Sequence, residues 1–116
     1  SGEVDAHGEF LKIYFTPLIL ASALGSLESV CLLLWAGASI SELGEDGVSC
    51  IHYACSGGHI QVIEKLLSAG GQELLAVADW RGDKPIHYAA LAGRVHVVEL
   101  LCNVYGDEIL FQRGNV

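Results

Sequence analysis

One segment of this chain occurs twice, and its second copy begins 35 residues after the first. Residues 46–59 read DGVSCIHYACSGGH, and residues 81–94 read RGDKPIHYAALAGR. A third, degraded copy begins at Thr16-Pro17-Leu18, 33 residues before Ser49. A repeat of this length indicates one small structural unit stacked on copies of itself. Such a stack offers a continuous surface for binding another molecule and has no buried pocket by default.

Each unit is predicted to contain two helices. In the middle copy the first helix ends at Gly57-Gly58, as Gly25 and Gly93 end it in the other copies. The second helix begins at Ile60, and its apolar residues recur at helical spacing. We predict that these residues form one apolar face of the second helix in each copy. They are Leu27, Val30, Leu33 and Leu34 in the first copy, Ile60, Ile63, Leu66 and Leu67 in the second, and Val95, Val98, Leu101 and Cys102 in the third.

The connectors between the units are predicted to contain turns. Gly37 and Gly70 are predicted to end second helices in a left-handed conformation, and Gly47 and Gly82 are predicted to mark turn tips. Residues 72–75, Gln-Glu-Leu-Leu, predict a helical turn that buries two leucines. Residues 107–110, Asp-Glu-Ile-Leu, repeat that pattern after the third copy.

Composition and charge exclude several classes of protein. The chain is 52% apolar and 17% charged, whereas disordered chains have few apolar residues and many charges. It has no unbroken apolar run of membrane-spanning length, so we expect no membrane insertion. The net charge of −8 repels nucleic-acid phosphates and anionic membranes. We therefore expect a protein or peptide partner, for which a basic one is the better electrostatic match, and no nucleic acid.

The histidines and cysteines pose the question of catalysis or metal binding. The spacing of Cys50, His52 and Cys55 fits no zinc pattern, and no residue pattern supplies a nucleophile with a base. We therefore predict that the chain is not an enzyme and holds no metal or cofactor. The repeat accounts for His52 and His87 as structural residues that bond to neighbouring backbone. Because the four cysteines form no CxxC pair, we expect free thiols and a reducing, cytoplasmic location.

The three copies resemble the ankyrin repeat, whose Thr-Pro-Leu-His-x-Ala motif appears as TPLILA at 16–21, SCIHYA at 49–54 and KPIHYA at 84–89. The resemblance implies an all-α solenoid of stacked helix-turn-helix units, with a β-turn finger projecting between repeats. The family's hydroxyl–histidine hydrogen bond is possible only between Ser49 and His52, because Ile19 and Lys84 interrupt the other motifs. We place repeats at 10–42, 43–77 and 78–112, with an N-terminal tail or tag remnant at 1–9 and the start of a further repeat or a linker at 113–116.

In ankyrin proteins the fingers and first helices line a concave groove. By that resemblance the groove here is lined by Lys12, Ile13, Phe15, Leu20, Glu45, Asp46, Val48, Tyr53, Trp80, Arg81, Asp83 and Tyr88. Tryptophan, tyrosine and arginine are the residue types that most often anchor interfaces. The alternative is that Tyr53 and Tyr88 merely pack between helices and that Trp80 covers its own finger. Trp35 is predicted to lie on the opposite, convex side.

The resemblance implies a non-enzymatic protein–protein interaction module, a scaffold or adaptor that binds a partner through the concave face. The alternative is a regulatory or substrate-docking ankyrin domain of a larger multidomain enzyme or membrane protein. A stack needs polar caps at its ends, whereas the first repeat is the most hydrophobic part of the chain. Weak self-association through uncapped ends is therefore a further expectation.

Overall fold

The computed structural model describes residues 15–104, so the predicted groove residues Lys12 and Ile13 and the predicted turn at 107–110 lie outside the described part. Three helix pairs follow one another along the chain: α1 (Pro17–Leu24) with α2 (Leu27–Trp35), α3 (Cys50–Gly57) with α4 (Ile60–Gly70), and α5 (Pro85–Leu91) with α6 (Val95–Val104). Two short 3-10 turns span Glu45–Gly47 and Gln72–Ala76. The described residues contain no β-strand, which confirms the predicted all-α stack.

The first helices of the three pairs lie side by side. Helix α3 packs against α1 on one side and α5 on the other, and the buried alanines Ala21, Ala54 and Ala89 allow this close approach. Helix α1 begins with Pro17 in its first turn, and the Thr16 hydroxyl accepts a hydrogen bond from the Ile19 N–H at 3.1 Å. Left-handed glycines at Gly25 and Gly58 end α1 and α3, as predicted.

The second helices bury a wider face than the single stripe predicted from spacing. Val62 and Val97, at equivalent positions of α4 and α6, are fully buried although neither was in that stripe. For α4 the wider face follows from its contacts with α2 of the preceding pair as well as with its own partner α3. The prediction is wrong for Val95, which is 63% exposed, and for Cys102, which is also exposed. Both line an open groove on the surface of α6, which they share with Ala90 and Val98.

The connector after α4 differs from its prediction at one glycine. Helix α4 continues through Gly70, and the positive φ of 88° belongs to Gly71 instead. Gly71 donates its N–H to the Leu67 carbonyl at 2.8 Å and starts the 3-10 turn, so the chain reverses one residue later than expected. This turn buries Leu74 and Leu75, as predicted. Gly37 has the predicted positive φ, at 98°.

Neighbouring repeats are joined by one kind of hydrogen bond at equivalent positions. His59 Nε2 donates to the Ala23 carbonyl at 3.0 Å, and Arg94 Nε donates to the Ser56 carbonyl at 2.9 Å. In each case the residue that precedes a second helix reaches back to the end of the preceding first helix. The His59 ring also covers Gly25, where a Cβ atom would lie 2.4 Å from the ring Nδ1.

Two fingers connect the helix pairs: finger A (residues 43–49) and finger B (residues 78–84). In finger A the Gly44 N–H donates to the Val48 carbonyl at 2.8 Å; in finger B the Asp79 N–H donates to the Asp83 carbonyl at 2.9 Å. Positive φ angles of 75° at Gly47 and 91° at Gly82 confirm both as turn tips. The two fingers therefore share this hydrogen bond and a left-handed glycine at the tip, whereas a left-handed residue before that glycine, Asp46 with φ of 60°, is found in finger A and not in finger B.

Candidate functional site

The predicted groove residues that the structure describes fall into two groups by exposure. Trp80 is 66% exposed, and Glu45, Asp46 and Arg81 are exposed beside it in the two fingers. The half-buried members are Phe15, Leu20, Tyr53, Asp83 and Tyr88. Val48 is only 6% exposed and belongs to the core, so its prediction as a groove residue is wrong. The other nine form what we call the finger surface.

Finger B is organised by a carboxylate that the sequence did not single out. Asp79 Oδ1 accepts hydrogen bonds from the backbone N–H groups of Arg81 and Asp83, both at 2.9 Å. Its Oδ2 accepts from the Tyr88 hydroxyl at 2.5 Å and lies 3.9 Å from the Arg81 guanidinium. Asp79 is 3% exposed, so this buried carboxylate ties the finger to helix α5.

The ionisation of this pair follows from its hydrogen bonds. Burial by itself raises the pKa of the Asp79 carboxyl, but the hydrogen bonds from Tyr88 and from two backbone N–H groups outweigh it and hold the pKa below its ordinary value. Burial, followed by the hydrogen bond to Asp79, raises the pKa of Tyr88 to about 12. Asp79 is therefore an anionic acceptor and Tyr88 a neutral donor at neutral pH.

Finger B is also tied to the preceding repeat through His52. This fully buried ring accepts the Ser49 N–H at Nδ1 (3.1 Å) and donates from Nε2 to the Asp83 carbonyl at 2.9 Å. The Ser49 hydroxyl lies 2.8 Å from Nδ1, which confirms the predicted hydroxyl–histidine contact. Burial lowers the pKa of His52, so the ring is neutral.

The third repeat keeps the histidine without the hydroxyl. The Lys84 N–H donates to His87 Nδ1 at 2.8 Å, which is the backbone counterpart of the Ser49 bond. The backbone roles predicted for His52 and His87 are therefore both present. The buried thiols have internal environments as well: Cys50 Sγ lies 3.6 Å from the Ile40 carbonyl, and burial raises the pKa of Cys50 to about 11 and that of Cys55 to about 12.

Both the ring and the hydroxyl of Tyr88 contact other residues of this chain. Its edge contacts the His52 ring at a centroid distance of 4.8 Å, and its hydroxyl is bonded to Asp79. The structure thus gives Tyr88 the internal packing role that was the alternative to binding. Its direct contact with a partner stays a prediction.

Trp80 covers the neighbouring finger, finger A. Its backbone N–H donates to the Asp46 carbonyl at 2.9 Å, and its indole lies against Gly47, where a Cβ atom would be 2.4 Å from the ring Cδ1. One side of the indole is therefore fixed on finger A, while two thirds of the residue stays exposed. The two fingers form one continuous surface through this side chain.

Tyr53 occupies the position in α3 that Tyr88 occupies in α5, but its neighbours differ. Its ring packs against Phe15 at a centroid distance of 5.5 Å. Burial, followed by the negative charges of Glu45 and Asp46, raises the pKa of the Tyr53 hydroxyl. The carboxylates of finger A therefore act electrostatically on the first-helix side of the finger surface.

Sequence reasoning missed Asp79 because its partner Tyr88 is nine residues away and belongs to another element. A signal was present nonetheless: Asp79 and Gly82 occupy the first and fourth positions of a turn, where aspartate and glycine are favoured. Within residues 15–104, no three histidine, cysteine, aspartate or glutamate side chains are grouped so as to hold a metal ion. None of the helices in that range is long and apolar enough to cross a membrane.

Comparison with known proteins agrees with this architecture. A family model described as ankyrin repeats (3 copies) matches residues 15–112. Among solved structures, the crystal structure of the human ASB11 ankyrin repeat domain matches with a TM-score of 0.71 and 27% sequence identity. That match covers 79% of this chain and 41% of the ASB11 chain, so the present chain spans less than half of that domain. A search of curated protein sequences finds no match. On the strength of the family model, the chain belongs to the ankyrin repeat family.

Proposed function

We propose that this chain is a non-enzymatic interaction module that binds a partner protein through the finger surface. Ankyrin repeats are generally protein–protein interaction modules, and the fold alone does not name a partner or a face. The observation that carries the proposed face is Trp80, which is held in place on one side and largely open on the other.

A rigid exposed aromatic side chain is a good anchor because little conformational freedom is lost when a partner covers it. Trp80 is held by the contact with Gly47, and its backbone is held by Asp46. The underlying finger B is fixed in turn by Asp79 and His52. The finger surface is thus pre-organised, which favours binding without rearrangement.

The non-enzymatic part of the proposal is supported by the chemistry of the buried groups. Cys50 and Cys55 have raised pKa values and stay protonated at neutral pH, so neither thiol is an activated nucleophile. His52 uses both ring nitrogens in structural hydrogen bonds. These buried cysteine and histidine side chains therefore have structural roles.

The direct test places a photo-crosslinking amino acid at position 80 and, in a matched control, at position 35. Trp35 is 86% exposed and lies beside Leu32 and Lys65, away from the fingers. We expect a partner protein to be crosslinked from position 80 and not from position 35, and its recovery to fall at least tenfold with Trp80→Ala. Equal crosslinking from both positions, or equal recovery of every partner by Trp80→Ala and wild type, would contradict the proposal.

A further inference from the structure

We propose that a lysine or arginine side chain of the partner lies on the open side of the Trp80 indole, flanked by the carboxylates of Glu45 and Asp46. This inference rests on the proposed function and adds the chemistry of the contact that Trp80 makes. It commits to a basic protein segment as the occupant of the finger surface.

The geometry brings the Trp80 indole next to the backbone of finger A, which carries two exposed acidic residues. The Trp80 indole lies on Gly47, and the hydrogen bond from the Trp80 N–H to the Asp46 carbonyl is 2.9 Å long. Asp46 and Glu45 are therefore beside Trp80 although they come from the preceding finger. Both acidic side chains are exposed, as is most of Trp80.

The face of an indole is the aromatic surface that attracts cations most strongly, because its π electrons carry a negative quadrupole. Carboxylates on the adjoining finger add attraction for the same charge and repel an anion. The whole chain carries a net charge of −8, which also favours a basic partner during encounter. Aromatic face, local charge and net charge thus select the same class of side chain.

Within the described residues, the lysine and arginine side chains of this chain make their contacts with other groups. Arg81 lies 3.9 Å from Asp79, and Arg94 is bonded to the Ser56 carbonyl at the junction between repeats. Lys84 is buried, and Lys65 lies next to Trp35 on another surface. A cation that pairs with Glu45 and Asp46 on Trp80 is therefore best supplied by the partner.

The experiment begins by selecting binders from a library of random dodecapeptides displayed on phage, with the 116-residue chain immobilised. Selected peptides are synthesised, and their affinity is measured by titration calorimetry against wild type, Trp80→Leu and the matched control Trp35→Leu. Trp80→Leu keeps an apolar cover on Gly47 but removes the aromatic face, and circular dichroism confirms that it folds. Trp80→Phe, which retains a ring, serves as the intermediate variant.

We expect the peptides that lose affinity with Trp80→Leu, and not with Trp35→Leu, to contain lysine or arginine. Replacing that arginine by uncharged citrulline, or that lysine by norleucine, should weaken binding roughly three- to thirtyfold. Glu45→Gln with Asp46→Asn should weaken the same peptides, and added salt should do so as well.

The outcomes separate this inference from the proposed function. Peptides that need Trp80 but contain no basic residue, or that tolerate the neutral replacement, would overturn the basic contact and leave the finger surface as the binding site. A selection that yields no Trp80-dependent peptide would overturn both.

Discussion

In finger B, the Asp79 carboxylate accepts two backbone N–H groups and the Tyr88 hydroxyl; in finger A, Gly44 occupies the equivalent position and supplies no side chain. Both fingers nevertheless close with the same backbone hydrogen bond, from the residue at this position to the residue four further on. Finger A instead has a left-handed Asp46 with φ of 60° and is covered by the Trp80 side chain, while a glycine forms the tip of both fingers. Finger B is therefore held by its own buried carboxylate, Asp79, and finger A is held by Trp80 of finger B.

This difference matters for binding because the exposed acidic residues of finger A are placed by finger B. A non-glycine residue in the left-handed region is strained and persists only when its surroundings hold it there. For Asp46 those surroundings include the Trp80 N–H. The finger surface therefore behaves as one unit whose rigid part is finger B.

The largest expected effect comes from removing the carboxylate of finger B. Asp79→Ala leaves two backbone N–H groups and the Tyr88 hydroxyl without their acceptor in a buried site. We expect the free energy of unfolding to fall by about 3 kcal/mol, measured by urea denaturation. The matched control is Glu45→Ala on exposed finger A, which should change it by less than about 0.5 kcal/mol. Equal effects of the two variants would contradict the distinction between the fingers.

The next effect tests the contact between the fingers. Gly47→Ala places a Cβ atom 2.4 Å from the Trp80 Cδ1 and also strains a residue with φ of 75°. We expect a loss of about 2–3 kcal/mol, against about 1 kcal/mol for Gly37→Ala, which has a positive φ but no atom near its Cβ position. The two variants are compared by urea denaturation. In a Trp80→Ala background the two glycine substitutions should cost the same, and a persistent excess at Gly47 would show that the indole does not cover it.

Acidification should weaken the link between finger B and the preceding repeat before it affects finger B itself. The folded-state pKa of His52 lies below its ordinary value of 6.5 because the ring is buried, so its contribution is present above pH 6.5 and is lost as the pH falls through the folded value. The pKa of Asp79 is lowered from 3.8, so its contribution is lost only in stronger acid.

Urea denaturation at pH 7.5 and pH 5.5 measures the His52 part of this effect. Wild type should lose stability between the two values, whereas His52→Gln, which cannot ionise there, should lose less. His96→Gln is the matched control, since the His96 side chain is 86% exposed. The account of His52 would be contradicted if His52→Gln and His96→Gln had the same pH dependence.

The smallest effect comes from introducing into finger A an aspartate at the position that Asp79 occupies in finger B. Gly44 has a φ of −95°, which aspartate adopts readily, so Gly44→Asp should place a carboxylate near the Asp46 and Val48 N–H groups and the Tyr53 hydroxyl. We expect a gain of about 1 kcal/mol, reduced by repulsion from Glu45 and Asp46 and therefore larger in high salt. Gly44→Ala is the control. A thermal melt in which Gly44→Asp is less stable than Gly44→Ala in high salt would contradict the comparison.

The repeated motifs predicted the helix pairs and the contact of Ser49 with His52, because each depends on residues close in sequence. Val62, Val97 and the uncovered Val95 could not be predicted from one helix, since their burial depends on which neighbour packs on each side. In the same way, the contact of Trp80 with Gly47 joins residues from different repeats.

Amide hydrogen exchange in Trp80→Ala tests most directly the claim that finger A depends on finger B through Trp80. The N–H groups of Gly44, Gly47 and Val48 report on finger A, and those of Arg81 and Asp83 report on finger B. We predict that the finger A amides exchange roughly tenfold faster than in wild type while the finger B amides are unchanged. Unchanged exchange in finger A, or equal acceleration in both fingers, would contradict the account.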